Sequence, residues 1–407
     1  MADYMTRGDP RKRTRRVPTE RRRLTLGVVD KKESLQQSRV PQESGNLINY
    51  LKTQNVSDIV KAGKRKLTLS SVTAERQESF DEKPTTGQSS STSSAGAAPV
   101  ARRDVQAQTR EELNRLGIGA TCRKGLKPES PNQDAFSVVY VSDEFLLTGV
   151  YDGHGAHGHH ISQFVKENLP KIFLNDPQRQ KDPASALTDA FGRCQRLIEH
   201  AEKTGSLQAG MSGTTCTLVY QPLTREKAGT IYIAHVGDSR ATMISRSRGS
   251  WGGRGLTEDH KPSLAKEKAR IEERGGRVLF DGFFNHRVFA KGQMYPGLNM
   301  SRAFGDCVAH REAGLCADPD VTQIRLQDDD IGMLICSDGV WEFVDGARAS
   351  NCVMQKMQQD GNNPQRSVEE LAKLSWSLWM EDSDNEISDD ITGVLVMFDK
   401  LRAGAGQ

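Results

Sequence analysis

Residues 149–160 read GVYDGHGAHGHH, and this stretch determines how the rest of the sequence is interpreted. An apolar strand is predicted to end at Asp152, and the glycines that follow allow a ligand to approach the backbone closely. His154 lies two residues beyond the aspartate. Taken alone, the stretch fits an Asx-type turn with solvated histidines as well as it fits a metal site.

The same design, an apolar strand beside an aspartate with a glycine nearby, recurs along the chain. Several runs rich in β-branched or apolar residues lead into an acidic side chain or follow one. The further candidate carboxylates are Asp238 in residues 230–240 (TIYIAHVGDSR), Asp338 and Glu342 in residues 332–342 (GMLICSDGVWE), Asp389 in residues 387–398 (ISDDITGVLVMF), and Asp134 in residues 131–136 (PNQDAF). One strand-end aspartate means little, but several of them suggest a shared purpose.

Carboxylates from different strand ends are the ligands expected for a hard divalent cation. Mg²⁺ and Mn²⁺ take oxygen ligands in near-octahedral geometry and keep several waters. The seven cysteines include no C-x-x-C pair and no Cys/His spacing suited to zinc. Considered together, the carboxylates therefore favour a Mg²⁺ or Mn²⁺ site over a set of independent turn aspartates.

Apolar runs and segments of helical period alternate from about residue 115 onward, which predicts one folded domain. The predicted strands are residues 135–141, 145–151, 214–220, 230–236, 241–245, 332–336 and 392–398. The predicted helices are residues 161–174, 184–203, 263–274 and 368–380, with Asp182 and Pro183 as the N-cap and first residue of the second. Because helices follow pairs of strands, the order favours packed sheets flanked by helices over a doubly wound parallel sheet.

The composition divides the 407-residue chain into three parts. Residues 1–105 are polar and basic, with a Ser-rich run at residues 87–99 (GQSSSTSSAGAAP), and are predicted to be a largely disordered extension. Residues 106–400 are predicted to be the folded domain, and residues 401–407 a short flexible tail. Within the extension, residues 46–62 (NLINYLKTQNVSDIVKA) fit a docking helix and a transient helix equally well.

Charge and apolar patterning bear on partners and location. The formal net charge of +3, from 56 basic and 53 acidic residues, indicates no particular partner. The basic run at residues 11–23 (RKRTRRVPTERRR) fits a nuclear-import or polyanion-binding segment, and equally a solvated tail. No apolar run reaches the length of a membrane span and no signal peptide is recognisable, so we expect no membrane association and a cytoplasmic or nuclear location, or both.

The motifs of the folded region, taken in order, resemble those of one family. They are NQDAF, VYDGHGAHG, SGTT, GDSRA, LTEDHKP, EERGGRV, MSRAFGD, SDGVWE and DDITGVLV, between about residues 117 and 398. The set resembles the type 2C metal-dependent protein phosphatases, the PPM family. This resemblance implies an α+β fold, a four-layer αββα sandwich with two central antiparallel β-sheets flanked by paired helices, and a two-metal site at one end.

The resemblance also implies roles for individual residues. Asp152 is implied to bridge both metals, with the Gly153 carbonyl as a further ligand and His154 as the general acid. The other implied metal residues are Asp338 and Asp389 at one metal, Asp238 and Glu342 at a third and more weakly held site, and Asp134 behind the direct ligands. Two cations sharing a water would lower its pKa, orient it for in-line attack on phosphorus and neutralise the phosphate oxygens. A neighbouring imidazolium would protonate the leaving serine or threonine oxygen.

The sequence departs from the family pattern at two points that concern phosphate and metal binding. Gln133 precedes Asp134 where many members have a glutamate, so an amide replaces a direct carboxylate ligand. The arginine that commonly holds the substrate phosphate is absent, because Glu129 stands four residues before Gln133. Lys127 or Lys124 is therefore expected to contact the phosphate, as a point charge and not as a bidentate fork.

Three further motifs have their own interpretations. Residues 212–215 (SGTT) are expected to pack beneath the site, since no base surrounds a candidate nucleophile there. In residues 300–306 (MSRAFGD), Arg302 is expected in an internal ion pair, and Asp306 is the acid that merits attention. Residues 280–296 (FDGFFNHRVFAKGQMYP) fall where the family carries a flap beside the active site, and fit substrate recognition or a packed loop equally.

Two functions from different classes follow from the sequence. The first is a Mg²⁺- or Mn²⁺-dependent serine/threonine phosphatase that acts on phosphoprotein substrates as a monomer, without an obligatory regulatory subunit. The alternative is a catalytically weak or inactive phosphatase fold that serves as a binding module. The strand-end carboxylates are all present, which favours the enzyme. The basic tail alone makes nucleic-acid binding an unfavoured third hypothesis.

Overall fold

A computed structural model describes residues 47, 49, 51–55, 59, 64–71, 98–127, 130–247, 249–283 and 285–404. The basic run, the low-complexity run up to residue 97 and Glu129 lie outside the described residues. Among the helices of the described residues, none is long and apolar enough to cross a membrane.

Two antiparallel sheets form the centre of the domain. The first sheet contains, in spatial order, β1 (Lys66–Ser70), β3 (Ala135–Val141), β4 (Phe145–Tyr151), β7 (Cys216–Pro222), β8 (Thr230–Val236) and β15 (Asp320–Arg325). The second contains β10 (Ser250–Gly255), β9 (Arg240–Ser247), β16 (Asp330–Cys336), β17 (Ile391–Met397) and β2 (Ile118–Arg123). Neighbouring strands pair antiparallel throughout both sheets.

Helices and two small sheets complete the domain. The helices are α1 (Ala98–Arg115), α2 (Gly158–Leu174), α3 (Pro183–Lys203), α4 (Ala265–Glu273), α5 (Cys307–Glu312), α6 (Asp338–Trp341), α7 (Gly346–Gln359), α8 (Pro364–Asp382) and α9 (Phe398–Gly404). One small sheet joins β11 (Gly276–Phe280), β12 (His286–Ala290) and β13 (Pro296–Leu298), and the other joins β14 (Phe304–Gly305), β6 (Gly213–Thr214) and β5 (Gly153–His154).

Three apolar cores separate the layers. Between the sheets, Phe136 and Val150 of the first pack in one cluster with Ile335 and Val394 of the second. Successive side chains of a strand point to opposite faces, so the alternate residues of the first sheet pack against α2 and α3. The outer face of the second sheet packs against α7 and α8 in the same way. The predicted four-layer αββα sandwich with paired outer helices is confirmed.

Most strands and helices predicted from local sequence patterns are present at or near the predicted residues. Three predicted strands, residues 135–141, 145–151 and 230–236, have the observed bounds. The Asp182 carboxylate accepts a hydrogen bond from the Ser185 backbone N–H at 3.1 Å and begins α3, as predicted. The prediction for α8 began four residues late, since the helix starts at Pro364.

The predicted extension contributes residues to the folded domain. Strand β1, which was not predicted, pairs with β3, and its Leu67 and Leu69 side chains are buried. Burying each stabilises the domain by about 1.5–3 kcal/mol. Leu51, in a helical segment, is buried in the core beneath α2, and its carbonyl accepts a hydrogen bond from Lys171 Nζ at 3.0 Å.

Both predicted domain boundaries therefore need adjustment. The boundary at residue 106 cuts through α1 and leaves β1 outside. At the other end, residues 401–404 belong to α9, because Leu401 is buried in the core between the sheets. The remaining residues of the predicted extension lie outside the described part of the chain, so their predicted disorder stays a prediction.

Candidate active site

The topology brings the strand-end carboxylates to one end of the sandwich. Asp134 precedes β3 and Asp152 follows β4, so both lie where strands of the first sheet begin or end on the same side. Asp338 follows β16 and Asp389 precedes β17, at the corresponding strand ends of the second sheet. Asp238 lies in the short connection from β8 to β9, which joins these two sets of strand ends.

Like charges crowd around Asp152. Burial raises the pKa of its carboxyl well above the ordinary value, and the Asp338 and Asp134 carboxylates act in the same direction. The Asp338 side chain also hydrogen-bonds that of Asp152. Burial and the neighbouring Asp390 raise the pKa of Asp134 to about 7. This end of the sandwich therefore favours a cation placed among the carboxylates.

Two of the strand-end carboxylates, Asp389 and Asp238, form ion pairs with lysines. Lys127, predicted to contact the substrate phosphate, forms an ion pair with Asp389. Lys261, which the sequence reasoning missed, forms an ion pair with the buried Asp238. Burial lowers the pKa of Lys261, but the charge of Asp238 and the hydrogen bond to it outweigh burial and raise the value. The LTEDHKP motif was the available signal for Lys261.

Gln133 and Asp390 hold the backbone around the site. The Asp390 carboxylate accepts hydrogen bonds from the backbone N–H groups of Gly125 at 2.7 Å and Gln133 at 2.8 Å. The Gln133 side chain donates from Nε2 to the Gly155 carbonyl at 2.6 Å. A Cβ on Gly153 would lie 2.5 Å from the Gln133 carbonyl oxygen, so only glycine fits beside Asp152.

His154 forms a short hydrogen-bonded pair with Asp306. The distance from His154 Nε2 to Asp306 Oδ2 is 2.6 Å, and the two side chains are 19% and 1% exposed. Burial lowers the pKa of His154, but the Asp306 charge and hydrogen bond outweigh it, and the pKa is raised above the ordinary value. The shift favours the protonated imidazole, which is the form that a general acid needs. Asp306 is the acid that the MSRAFGD motif singled out.

Residues of the SGTT and MSRAFGD motifs form hydrogen bonds and ion pairs that support the backbone around the site. The Thr215 hydroxyl accepts a hydrogen bond from the Asp152 N–H at 3.1 Å, and the Ser212 hydroxyl accepts one from the His157 N–H at 3.0 Å. Arg302 contacts the Glu267 carboxylate through two nitrogens, at 3.1 and 2.7 Å, in the predicted internal ion pair.

Two other predicted site residues lie at the periphery. Glu342 is exposed and follows Asp338 by one turn, with its backbone N–H donating to the Asp338 carbonyl at 2.8 Å. Lys124 is half-buried, just beyond the end of β2. Their predicted roles, at a third metal and at the phosphate, stay predictions.

The donor set fits a hard divalent cation. Carboxylate oxygens and a backbone carbonyl at a tightly packed glycine are the donors that Mg²⁺ and Mn²⁺ prefer. A cation here would relieve the repulsion that raises the pKa of Asp152. In their present arrangement, however, no three His, Cys, Asp or Glu side chains of the described residues form a group that could hold a metal ion. Binding through Asp389 or Asp238 would require each carboxylate to leave or share its lysine.

Comparisons with known proteins agree with this fold. Residues 134–383 match the family model described as "Protein phosphatase 2C". The chain is 31% identical over 275 residues to "Probable protein phosphatase 2C 61" from Arabidopsis thaliana, covering 66% of this chain and 81% of the relative. It is 29% identical over 305 residues to "Probable protein phosphatase 2C 35" from the same plant, covering 69% and 83%.

Solved structures share the fold. The "serine-threonine phosphatase 2C from Toxoplasma gondii" has a TM-score of 0.57 at 23% identity, covering 69% of this chain and 94% of that one. A "C.elegans sex determining protein" has a TM-score of 0.58 at 19% identity, covering 76% and 72%. The sandwich, the carboxylate-lined end and the matched relatives define the class: this is a protein phosphatase, a hydrolase. More particularly, the chain belongs to the protein phosphatase 2C family.

Proposed function

We propose that this phosphatase depends on Mg²⁺ or Mn²⁺ and hydrolyses phosphoserine and phosphothreonine in phosphoprotein substrates. The main support is that His154, hydrogen-bonded to Asp306, lies two residues beyond Asp152, whose pKa is raised by burial and by the neighbouring carboxylates. This arrangement supports the proposal, because an imidazole bonded to a carboxylate and a set of further carboxylates lie at the same end of the sandwich.

The residues proposed to hold two metal ions are those of the carboxylate set. They are Asp152, the Gly153 carbonyl, Asp338 and Asp389, with Asp134 behind them and with Asp238 and Glu342 available for a third ion. Divalent ions bound at such a site would supply an activated water near neutral pH and would neutralise phosphate oxygens. Lys127, already at Asp389, and Lys124 are the proposed cations for the substrate phosphate.

His154 is proposed to protonate the leaving serine or threonine oxygen. Proton transfer from a positioned side chain typically contributes about 10²–10⁴-fold in rate. Because Nε2 of His154 is bonded to Asp306, the carboxylate sets the orientation of the ring. Asp306 therefore acts through His154 as a positioning residue.

The experiment compares activity with and without metal. A phosphothreonine peptide and an aryl phosphate should both be hydrolysed with Mn²⁺, EDTA should abolish this activity, and added Mn²⁺ should restore it. Asp152→Ala and Asp338→Ala should be inactive, whereas Asp328→Asn, on an exposed turn, should keep full activity. Full activity of Asp152→Ala would reject the proposal.

The same experiment distinguishes the proposed enzyme from the alternative, a phosphatase fold that serves as a binding module. A chain that binds the phosphopeptide but turns over neither substrate at any Mn²⁺ concentration would be that module and not an enzyme. The whole 407-residue chain is the appropriate protein, because truncation at residue 105 would remove β1 and Leu51. A monomeric state without a regulatory subunit, and a cytoplasmic or nuclear location, stay parts of the proposal.

A further inference from the structure

We infer that Gln195, on the outer helix α3, is a positioning residue for the His154–Asp306 pair. This inference rests on the proposed function and extends it to a residue outside the site. Gln195 is 6% exposed, and its side-chain amide contacts the chain immediately before Asp306.

The Gln195 side chain bonds both backbone polar groups of Gly305. Gln195 Oε1 accepts a hydrogen bond from the Gly305 N–H at 2.9 Å, and Nε2 donates to the Gly305 carbonyl at 3.3 Å. Nε2 also lies 3.3 Å from the Glu199 carboxylate, one turn along α3. One amide thus satisfies both backbone groups of Gly305, as a neighbouring strand would.

Asp306 needs such support because it adopts the left-handed backbone conformation, directly after Gly305, which adopts it without steric cost. Gly305 has φ +78°, and Asp306 has φ 43°, which is unfavourable for a residue with a side chain. A Cβ on Gly305 would lie 2.5 Å from the Ser212 carbonyl oxygen. That carbonyl also accepts the Asp306 N–H, at 2.9 Å. The corner is therefore held by Ser212 on one side and by Gln195 on the other.

The direction of the Asp306 carboxylate follows from this corner. The carboxylate is 1% exposed and bonded to His154 Nε2 at 2.6 Å, so a shift of the corner moves the bonded imidazole or breaks the bond. Proton transfer is sensitive to displacements of this size, since a misplacement of about 1 Å can lower a rate by about 10²-fold. Gln195 thereby connects the helical layer to the proton donor.

The surroundings of Gln195 make it suitable for substitution. Gln195 lines a cavity of about 520 Å³ together with Cys307 and His310. Changing the amide therefore alters the wall of an existing cavity and does not create a sealed void. Gln195→Met keeps the length of the side chain and removes both hydrogen bonds. Gln195→Glu keeps the acceptor for the Gly305 N–H and removes the donor.

The test uses two substrates that differ in their need for a general acid. A phosphothreonine peptide has a poor alkoxide leaving group, which needs a proton. The leaving group of p-nitrophenyl phosphate, p-nitrophenolate, is a stable anion and departs without protonation. For Gln195→Met, kcat on the peptide should fall by about 10-fold or more with KM within about twofold, while kcat on the aryl phosphate stays within about twofold. Gln195→Glu sets an acceptor against the Gly305 carbonyl and a second carboxylate beside Glu199, so its peptide rate should fall at least as far. Gln358→Met, at an exposed position of α7, should change neither rate.

Each outcome decides the inference. An equal fall on both substrates, or an unchanged peptide rate, would overturn the role of Gln195, because a merely structural effect does not discriminate between leaving groups. Asp306→Asn and His154→Ala should show the same discrimination more strongly. If the unmodified protein hydrolyses neither substrate with Mn²⁺, the proposed function fails and this inference fails with it.

Discussion

Two clusters of buried or partly buried charged side chains in this domain have opposite electrostatic balance. In the first, here called the arginine cluster, Glu267 is 1% exposed and is contacted by Arg302, Arg270 and the Ser301 hydroxyl, at 2.6–3.1 Å. The second, the carboxylate cluster, contains Asp152, Asp134 and Asp338. Burial and the Asp338 and Asp134 carboxylates raise the pKa of Asp152, and burial, Asp390 and Asp338 raise that of Asp134.

The pKa shifts show the difference. At Glu267 burial raises the pKa, but the hydrogen bonds from Arg302, Ser301 and Arg270 outweigh it and lower the value to about 2. At Asp134 burial and Asp390 raise the pKa to about 7. The chain thus supplies the counter-charge of the first carboxylate itself, whereas Asp134 and Asp152 face further carboxylates. Buried charge can therefore mark a structural contact or a binding site, depending on whether the counter-charge belongs to the chain.

The largest expected effect follows from removing one charge of the carboxylate cluster. Asp152→Asn should lower kcat/KM on a phosphopeptide by about 10²–10³-fold or more. The same variant should melt at the same or a higher temperature than the unmodified protein in EDTA, because like-charge repulsion is relieved. Scanning calorimetry and steady-state kinetics on one preparation measure both effects. A marked loss of stability in EDTA would contradict the assignment of this cluster.

Removing the charge of the arginine cluster should have the opposite result. Glu267→Gln leaves two arginines without their buried partner and should destabilise the fold by about 3–5 kcal/mol. Folded variant protein should keep its kcat. Glu258→Gln, whose ion pair with Lys266 is exposed, is the control and should change the free energy of unfolding by under about 1 kcal/mol. Urea unfolding at pH 7 distinguishes the two variants.

The pH dependence of unfolding should also differ between the clusters. Glu267 has a lowered folded pKa, so its stabilising contribution is present above pH 4.5 and is lost as the pH falls toward about 2. Asp134 has a raised folded pKa, so its contribution turns unfavourable as the pH rises from 3.8 to about 7. In EDTA, Asp134→Asn should gain stability relative to the unmodified protein between pH 4 and 8, by up to a few kcal/mol. A gain confined to low pH would contradict this expectation.

The smallest effect is expected at a buried cation with neutral hydrogen-bond partners. Lys166 is 8% exposed, burial lowers its pKa, and its ammonium donates to the Ser71 carbonyl and to Gln163. Lys166→Met should change the free energy of unfolding by under about 1 kcal/mol, because the cost of burying the charge is also removed. Chemical denaturation at pH 7 measures the change. A loss as large as that of Glu267→Gln would show that neutral oxygens stabilise a buried charge as well as carboxylates do.

Predictions from sequence were most accurate where local pattern determines structure. The strands at residues 135–141 and 230–236 and the Asp182 cap depend on contiguous residues, and the structure has them as predicted. Strand β1 was missed, because the five residues KLTLS carry few apolar side chains and are stabilised by pairing with β3. The carboxylate set was recognisable because each member lies at the end of an apolar strand.

The sequence by itself determined the layered fold, the family and the residues that could carry the chemistry, because apolar periodicity and motif order are local properties. Only the tertiary structure decided how those residues pair. Lys127 and Asp389 are 262 positions apart, and His154 and Asp306 are 152 apart. Gln195 carries no signal of its own, since its contact with Gly305 exists only when α3 packs on the sheet. Such pairings depend on which strand ends the packing brings together, and no local pattern contains that information.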